Sequence, residues 1–167
     1  IRLTVERDAA LNAGAINIGA SGNKDSIITV KGKLTVKGSQ GVSCGQMVIG
    51  ATGVVNISGE RGVMVAGMNP NGVSDFKDAF KIENGGSFSA NCTAYNVMVF
   101  TGSKEMTEEE AKTCLVLPDN YLPEGYSIQV ATGNNGSQVH YAATVAKKGA
   151  TLTLIAKRVD GAGGQLE

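Results

Sequence analysis

The stretch GKLTVKGSQGVSCGQMVIGATGVVNISGERGVMV, at positions 32–65, decides the fold because it contains one pattern twice. The heptapeptide GKLTVKG at 32–38 returns as GVVNISG at 53–59, and the pair GV at 41–42 returns as GV at 62–63, at the same shift. In each copy apolar residues alternate with other residues, as in a strand with one buried face. Self-similarity at a fixed period indicates stacked units, because one unit cannot bury its apolar side without a neighbour.

Looser copies extend the pattern in both directions, with GAINIG at 14–19 before the two main copies and GSFSA at 86–90 after them. A second short strand is predicted before three of the copies, around Ile28, Ile49 and Ile82. A third apolar segment follows the glycine turn that ends the copy. Three short inward-facing segments per repeat predict a mostly β fold, with a short parallel β-helix of about four to five coils over positions 1–100. Left-handed β-helices are built from six-residue steps, so their copies should be shifted by multiples of six. The copies here are shifted by 18, 21 and 33 positions, and the last two values favour the right-handed form.

A different pattern begins after position 100. The sequence TEEE at 107–110 is a capping box and predicts a small helix through Cys114, stopped by Pro118. Three β-rich runs follow at 126–131, 139–145 and 151–157, and the turn signals between them predict an antiparallel three-stranded β meander.

The predicted division is a parallel β-helix at 1–100, a helix and Pro-containing connector at 101–124, an antiparallel β module at 125–160 and a flexible tail at 161–167. The β module either caps the open end of the β-helix or forms a separate unit. Capping is favoured, because three strands alone are barely stable.

Composition narrows the classes of partner. The chain has 15 basic and 15 acidic residues, a balance that does not predict a nucleic-acid partner. No apolar run approaches the roughly 18 residues of a membrane span, so we expect no membrane insertion. We also expect a monomer without a cofactor. Three cysteines without a CxxC motif or a Cys/His cluster predict no metal site, and a Cys92–Cys114 bridge stays open.

Two groups of charged side chains are candidate ligand-binding residues. Lys33 and Lys37 alternate outward on one coil and would meet an acidic polysaccharide, unless they serve only to keep stacked strands soluble. Asp75, Lys77 and Asp78 form a polar cluster on the loop at 68–78, either as a ligand or cation site or as a solvated turn.

Residues suited to catalysis are scarce in the sequence. His140 is the only histidine, and on a strand it is expected to be a surface or packed residue. No Ser-His-Asp set and no GxSxG elbow can be assembled, so no catalytic residue is predicted. Tyr121 and Tyr126 flank the Pro-containing connector and are expected to pack there rather than to stack on a sugar.

The stretch 27–67 resembles the repeat of secreted, surface-attached right-handed β-helix proteins within the pectate-lyase-like superfamily, found mainly in gut and cellulose-degrading bacteria and described as carbohydrate-binding. The resemblance covers about positions 1–100. It implies an extracellular or cell-surface location and a polysaccharide or host glycan as partner. In that family an acidic residue often precedes the turn glycine. Here Gln40 and Arg61 occupy that position, so the family's calcium and catalytic roles are not carried over.

We therefore expect a non-enzymatic structural or adhesive module of a larger extracellular bacterial protein, with glycan binding as its candidate activity. The alternative is a fragment of a β-helix polysaccharide lyase or hydrolase, which would need acidic residues projecting from successive coils. A third class, a phage or fimbrial fibre segment, would be trimeric.

Overall fold

A computed structural model describes residues 1–19, 26–66, 77–100, 104–135, 138–158 and 164–166. Within these ranges the chain is mostly β, with one short helix, α1, at Glu108–Cys114. The strands are β1 Arg2–Val5, β2 Ala10–Asn17, β3 Ile27–Val30, β4 Lys33–Cys44, β5 Gln46–Ile49, β6 Val54–Ala66, β7 Phe80–Ile82, β8 Ser87–Phe100, β9 Leu115–Val116, β10 Tyr126–Asn135, β11 Gln138–Lys147, β12 Thr153–Arg158 and β13 Gly164–Leu166.

The first nine strands belong alternately to two sheets. The smaller sheet has the order β1-β3-β5-β7-β9, and the larger has the order β13-β12-β10-β11-β8-β6-β4-β2. From β1 to β9 the chain passes from one sheet to the other at every step, and all pairings among these strands are parallel. A mostly β chain with parallel pairing of the repeat strands is therefore confirmed.

The two main copies of the repeat pair in the predicted register. Leu34 is opposite Val55, and Val55 is opposite Phe88 on the next strand. The pair after the turn keeps the same relation, with Val42 opposite Val63 and Val63 opposite Val97. The repeat thus brings equivalent side chains to the same height in adjacent strands.

The predicted alignment of the earliest copy is wrong. Ile16 lies opposite Val42 instead of Leu34, and the partner of Leu34 is Leu11. The register of β2 against β4 shifts between Ala13 and Ala15, so β2 supplies both the first and the last segment of its repeat. The glycine-flanked string GAINIG matched the wrong segment, because its spacing does not show which buried position it faces.

The strand positions in the smaller sheet also need one correction. Ile49 is opposite Ile82, as the sequence predicts. Ile28, however, is opposite Met47, and Val30 is opposite Ile49. Paired residues are thus 19 positions apart in the sequence between β3 and β5, as in Ile28 and Met47, but 21 positions apart between β4 and β6. The two values differ because the connections between the sheets differ in length.

A single large apolar cluster lies between the two sheets. Its members from both sheets are almost fully buried, among them Ile28, Leu34, Val36, Val42, Met47, Ile49, Val55, Val65, Phe80 and Val99. Cys44 belongs to this cluster and lies opposite Val65. Each such side chain contributes roughly 1.5–3 kcal/mol of hydrophobic stabilisation on burial.

Glycines mark the bends of the long strands, where neighbouring backbones nearly touch. A Cβ built on Gly59 would overlap the carbonyl oxygen of Gly38, and one built on Gly38 would overlap that of Gly14. Gly59 also has a φ of 131°, which L side chains rarely adopt. The punctuating glycines are therefore needed for close approach of adjacent layers as well as for turning.

Helix α1 follows the predicted capping box. Thr107 accepts a hydrogen bond from the Glu110 amide, and the Glu110 carboxylate accepts one from the Thr107 amide, each at 3.2 Å. Ala111 and Cys114 of this helix are buried in the large cluster, and the helix contacts β10 and β11. The helix thus lies between the core and the C-terminal strands.

The C-terminal strands are not a meander. β10 and β11 form the predicted antiparallel hairpin, with Ala131 opposite Ala142. β11 also pairs with β8, where Ala142 is opposite Phe100. Both edges of β11 are therefore occupied, and β12 cannot pair with it there. β12 instead pairs with β10, and the pairing is parallel, with Thr132 opposite Thr153. The segment 164–166, predicted within a flexible tail, forms β13 against β12, while 161–163 and 167 lie outside the described residues.

The free edge of β8 is closed in part by side chains. The Tyr121 hydroxyl lies 2.6 Å from the Phe88 amide nitrogen and 2.5 Å from the Phe88 carbonyl oxygen, so it accepts from one and donates to the other. The Asn96 side chain accepts a hydrogen bond from the Cys92 amide. Tyr121 therefore packs at the connector, as the sequence predicts, and takes the place of a neighbouring strand at Phe88. Tyr126 is 46% exposed.

Among the described residues, no helix has the length and apolar character needed to cross a bilayer.

The glycine contacts lead to a stability prediction. We expect Gly59→Ala to lower the free energy of unfolding by about 2–4 kcal/mol, because the added methyl meets a backbone oxygen and the residue is held at positive φ. Gly14→Ala is the control, since its Cβ would make only an ordinary 3.8 Å contact with the Lys37 carbonyl oxygen. Urea denaturation followed by circular dichroism measures both. Equal, small losses for the two variants would contradict the account.

Candidate polysaccharide-binding face

The side of the larger sheet that points away from the core carries rows of mostly polar side chains. We call this surface the outer face and define it by three residues from each of β4, β6 and β8: Lys33, Thr35, Lys37, Val54, Asn56, Ser58, Ser87, Ser89 and Asn91. Register places them in three rows across the strands, Lys33–Val54–Ser87, Thr35–Asn56–Ser89 and Lys37–Ser58–Asn91. All nine are exposed or half-buried.

The outer face forms a regular grid. Neighbouring strands are about 4.8 Å apart, and side chains at alternate positions of one strand are separated by about 6.6 Å. Hydroxyl and amide groups occupy most grid points, while Lys33 and Lys37 stand on the same strand with Thr35 between them. Neither lysine forms an ion pair with another described residue. Both ammonium groups are thus available to an anionic ligand.

The structure does not join the second candidate group to this surface. Lys77 and Asp78 precede β7 in the smaller sheet, whereas Lys33 and Lys37 lie in the larger one. Asp75 lies outside the described residues.

Asp78 acts through its backbone at the entry to β7. Its amide donates to the Thr113 carbonyl oxygen at 2.8 Å, and its own carbonyl oxygen accepts from the Gln46 side chain at 3.1 Å. Its φ of 60° is the left-handed conformation that aspartate tolerates better than most residues. These contacts give Asp78 a turn-forming role.

His140 is packed within the protein. It is 8% exposed, and its ring centre lies 5.3 Å from that of Phe100. Phe100 belongs to a second apolar cluster with Met64, Met98 and Ala142, on the side of the larger sheet opposite the main core. Neither ring nitrogen of His140 has a hydrogen-bond partner among the described residues. Among the described residues, no group of three or more His, Cys, Asp or Glu side chains is placed to hold a metal ion.

All three cysteines are free thiols, so the Cys92–Cys114 bridge left open by the sequence is not formed. Burial raises the pKa of Cys44 to about 12 and that of Cys114 to about 11. Burial also raises the pKa of Cys92, which is only half-buried and lines a cavity of about 590 Å³ between β8 and the hairpin.

One polar cavity was missed by sequence reasoning. Its volume is about 440 Å³, and it lies between the turn before β8 and the segment after β9, lined by Asn84, Gly85, Gly86, Pro118, Asp119, Asn120 and Tyr121. Its two walls are far apart in the sequence, and the pairing of β7 with β9 and the hydrogen bonds between Tyr121 and Phe88 bring them together. Each wall alone carries only an ordinary turn signal, so the sequence offered no local motif for the cavity.

Comparison with known proteins does not assign the chain to a family. No protein-family model matches it, and neither the curated proteins nor the solved structures contain a match.

The burial of the cysteines predicts an order of reactivity. We expect Ellman's reagent at mildly alkaline pH to modify Cys92 in the folded protein and to reach Cys44 and Cys114 only on unfolding, because the thiolate is the reactive form and burial disfavours it. Cys92→Ser is the control and should leave no rapidly reacting thiol. Rapid modification in that variant would show that one of the other two cysteines is accessible.

Proposed function

We propose that the parallel strands β1 to β9 constitute a short right-handed parallel β-helix whose outer face binds an acidic polysaccharide without transforming it. Alternation of β1 to β9 between two sheets that enclose one apolar cluster supports the β-helix. Crossover connections between parallel strands are right-handed in nearly all proteins, which supports the handedness.

The observation that carries the proposed binding is the registered arrangement of the outer face. Its hydroxyls and amides can exchange hydrogen bonds with sugar hydroxyls, and Lys33 and Lys37 can pair with carboxylates along the same polymer. A rigid sheet holds these groups at fixed spacings, so the protein loses little conformational freedom on binding a linear ligand. The module would serve a larger extracellular bacterial protein as an adhesive element, a location supported by the resemblance of the stretch 27–67.

The alternative activity, polysaccharide cleavage by a β-helix lyase or hydrolase, has less support on this surface. Such an enzyme needs acidic side chains at matching positions of successive coils, with a basic residue beside them. The three rows of the outer face contain lysine, hydroxyl, amide and valine side chains. Binding is therefore the function that these residues favour.

Charge reversal on the outer face tests the proposal. We expect Lys33→Glu/Lys37→Glu to weaken binding of polygalacturonate by about tenfold or more, because two attractive charges become repulsive. Isothermal titration calorimetry at low and moderate salt measures the change, and binding by the unaltered protein should weaken as salt is added.

The matched control is Lys147→Glu/Lys148→Glu, which makes the same charge change at two exposed residues at the end of the hairpin. Equal losses in the two double variants would show a general charge effect and contradict the proposed site. Release of unsaturated uronate products, seen as ultraviolet absorbance, would contradict a non-enzymatic function.

A further inference from the structure

We propose that the polar cavity between the turn at 83–86 and the segment at 117–121 binds a neutral hexopyranose unit. This cavity is a second site beyond the outer face, and its ligand class differs because it offers hydrogen-bonding groups and no cation. Its volume of about 440 Å³ falls in the range of about 300–1,000 Å³ typical of small-molecule sites.

Three side chains in the cavity wall have unused hydrogen-bonding capacity. Asn84 stands on one wall, and Asp119 and Asn120 stand on the other. None of them forms a side-chain hydrogen bond or ion pair with the described residues. A carboxylate can accept from two adjacent sugar hydroxyls, while each amide can donate to one hydroxyl and accept from another. Together they match the alternating donor and acceptor character of a pyranose ring.

The first wall of the cavity is a tight turn. A Cβ on Gly85 or Gly86 would lie 2.8 Å from the carbonyl oxygen of Ala51 or Gly50, and Gly85 adopts a φ of 94°, so the turn is closely packed against the one before it. The turn is held by hydrogen bonds from the Gly86 amide to the Glu83 carbonyl oxygen and from the Ser87 amide to the Gly53 carbonyl oxygen, each at 2.9 Å. The cavity wall is thus preorganised by the same stacking that forms the sheets.

Tyr121 completes the lining of the cavity. Its hydroxyl is hydrogen-bonded to the backbone of Phe88, which holds the side chain at this junction. Three polar side chains beside a held tyrosine favour a ligand rich in hydroxyl groups over a bare anion, which the Asp119 carboxylate would repel.

The residues that line the polar cavity are separate from the nine residues of the outer face. Ser87 at the end of one row of that face directly follows Gly86 in the cavity wall, so the two sites are adjacent and can be addressed by separate variants.

The test is a nuclear magnetic resonance titration of the full chain, labelled with ¹⁵N, with the methyl pyranosides of glucose, galactose and mannose. We expect at least one of these sugars to shift the amide signals of Gly85, Gly86 and Asn120 saturably. Asn84→Ala and Asn120→Ala should each weaken that binding by about tenfold, as expected for loss of a hydrogen-bonding partner. Glu124→Ala, at an exposed acid outside the cavity lining, is the control and should leave the affinity unchanged.

Two further arms separate the alternatives. The variant Lys33→Glu/Lys37→Glu should keep the neutral-sugar shifts even where it loses polygalacturonate, so failure of one site does not imply failure of the other. Absence of saturable shifts with all three sugars in the unaltered protein would overturn the inference. Shifts of the same amides with calcium chloride alone, lost in Asp119→Asn and not reproduced by any sugar, would overturn it in favour of a cation site.

Discussion

The rest of the structure depends on the close, in-register approach of one parallel layer to the next. At the bends of the long strands that approach requires glycine, as at Gly38 and Gly59, where an added methyl group would overlap a backbone oxygen of the adjacent strand. Between these points aliphatic and aromatic side chains pack in the core, with Leu34, Val55 and Phe88 at one height. Backbone contact sets the register, and register then aligns both the buried and the exposed rows.

The main features of the stack could be predicted from the sequence because the period and the alternation are properties of neighbouring residues. The spacing of the repeat predicts the pairing of Leu34 with Val55, and the box formed by Thr107 and Glu110 predicts the helix. The alignment of Ile16 and the place of the third C-terminal strand could not be obtained in this way. Both depend on which edge or buried position is still free, as the pairing of β11 with β8 shows.

The candidate sites also differ in how much of each could be predicted from neighbouring residues in the sequence. The sequence alone predicts that Lys33 and Lys37 point outward from one strand. The row that joins Thr35 to Asn56 and Ser89 is known only from the register of β4, β6 and β8 in the structure. The polar cavity cannot be predicted from local sequence at all, since Asn84 and Asp119 line one cavity only after β7 has paired with β9. Surfaces made by stacking distant turns carry no local motif, and their chemistry can be recognised only after the layers are placed.

Cross-strand nuclear Overhauser effects test the central claim most directly. In a ¹³C,¹⁵N-labelled sample the account predicts backbone contacts that link Thr35 to Asn56 and Asn56 to Ser89, in the pattern of parallel strands. Contacts of the antiparallel pattern among these three strands, or the absence of contacts between Leu34 and Val55, would contradict it.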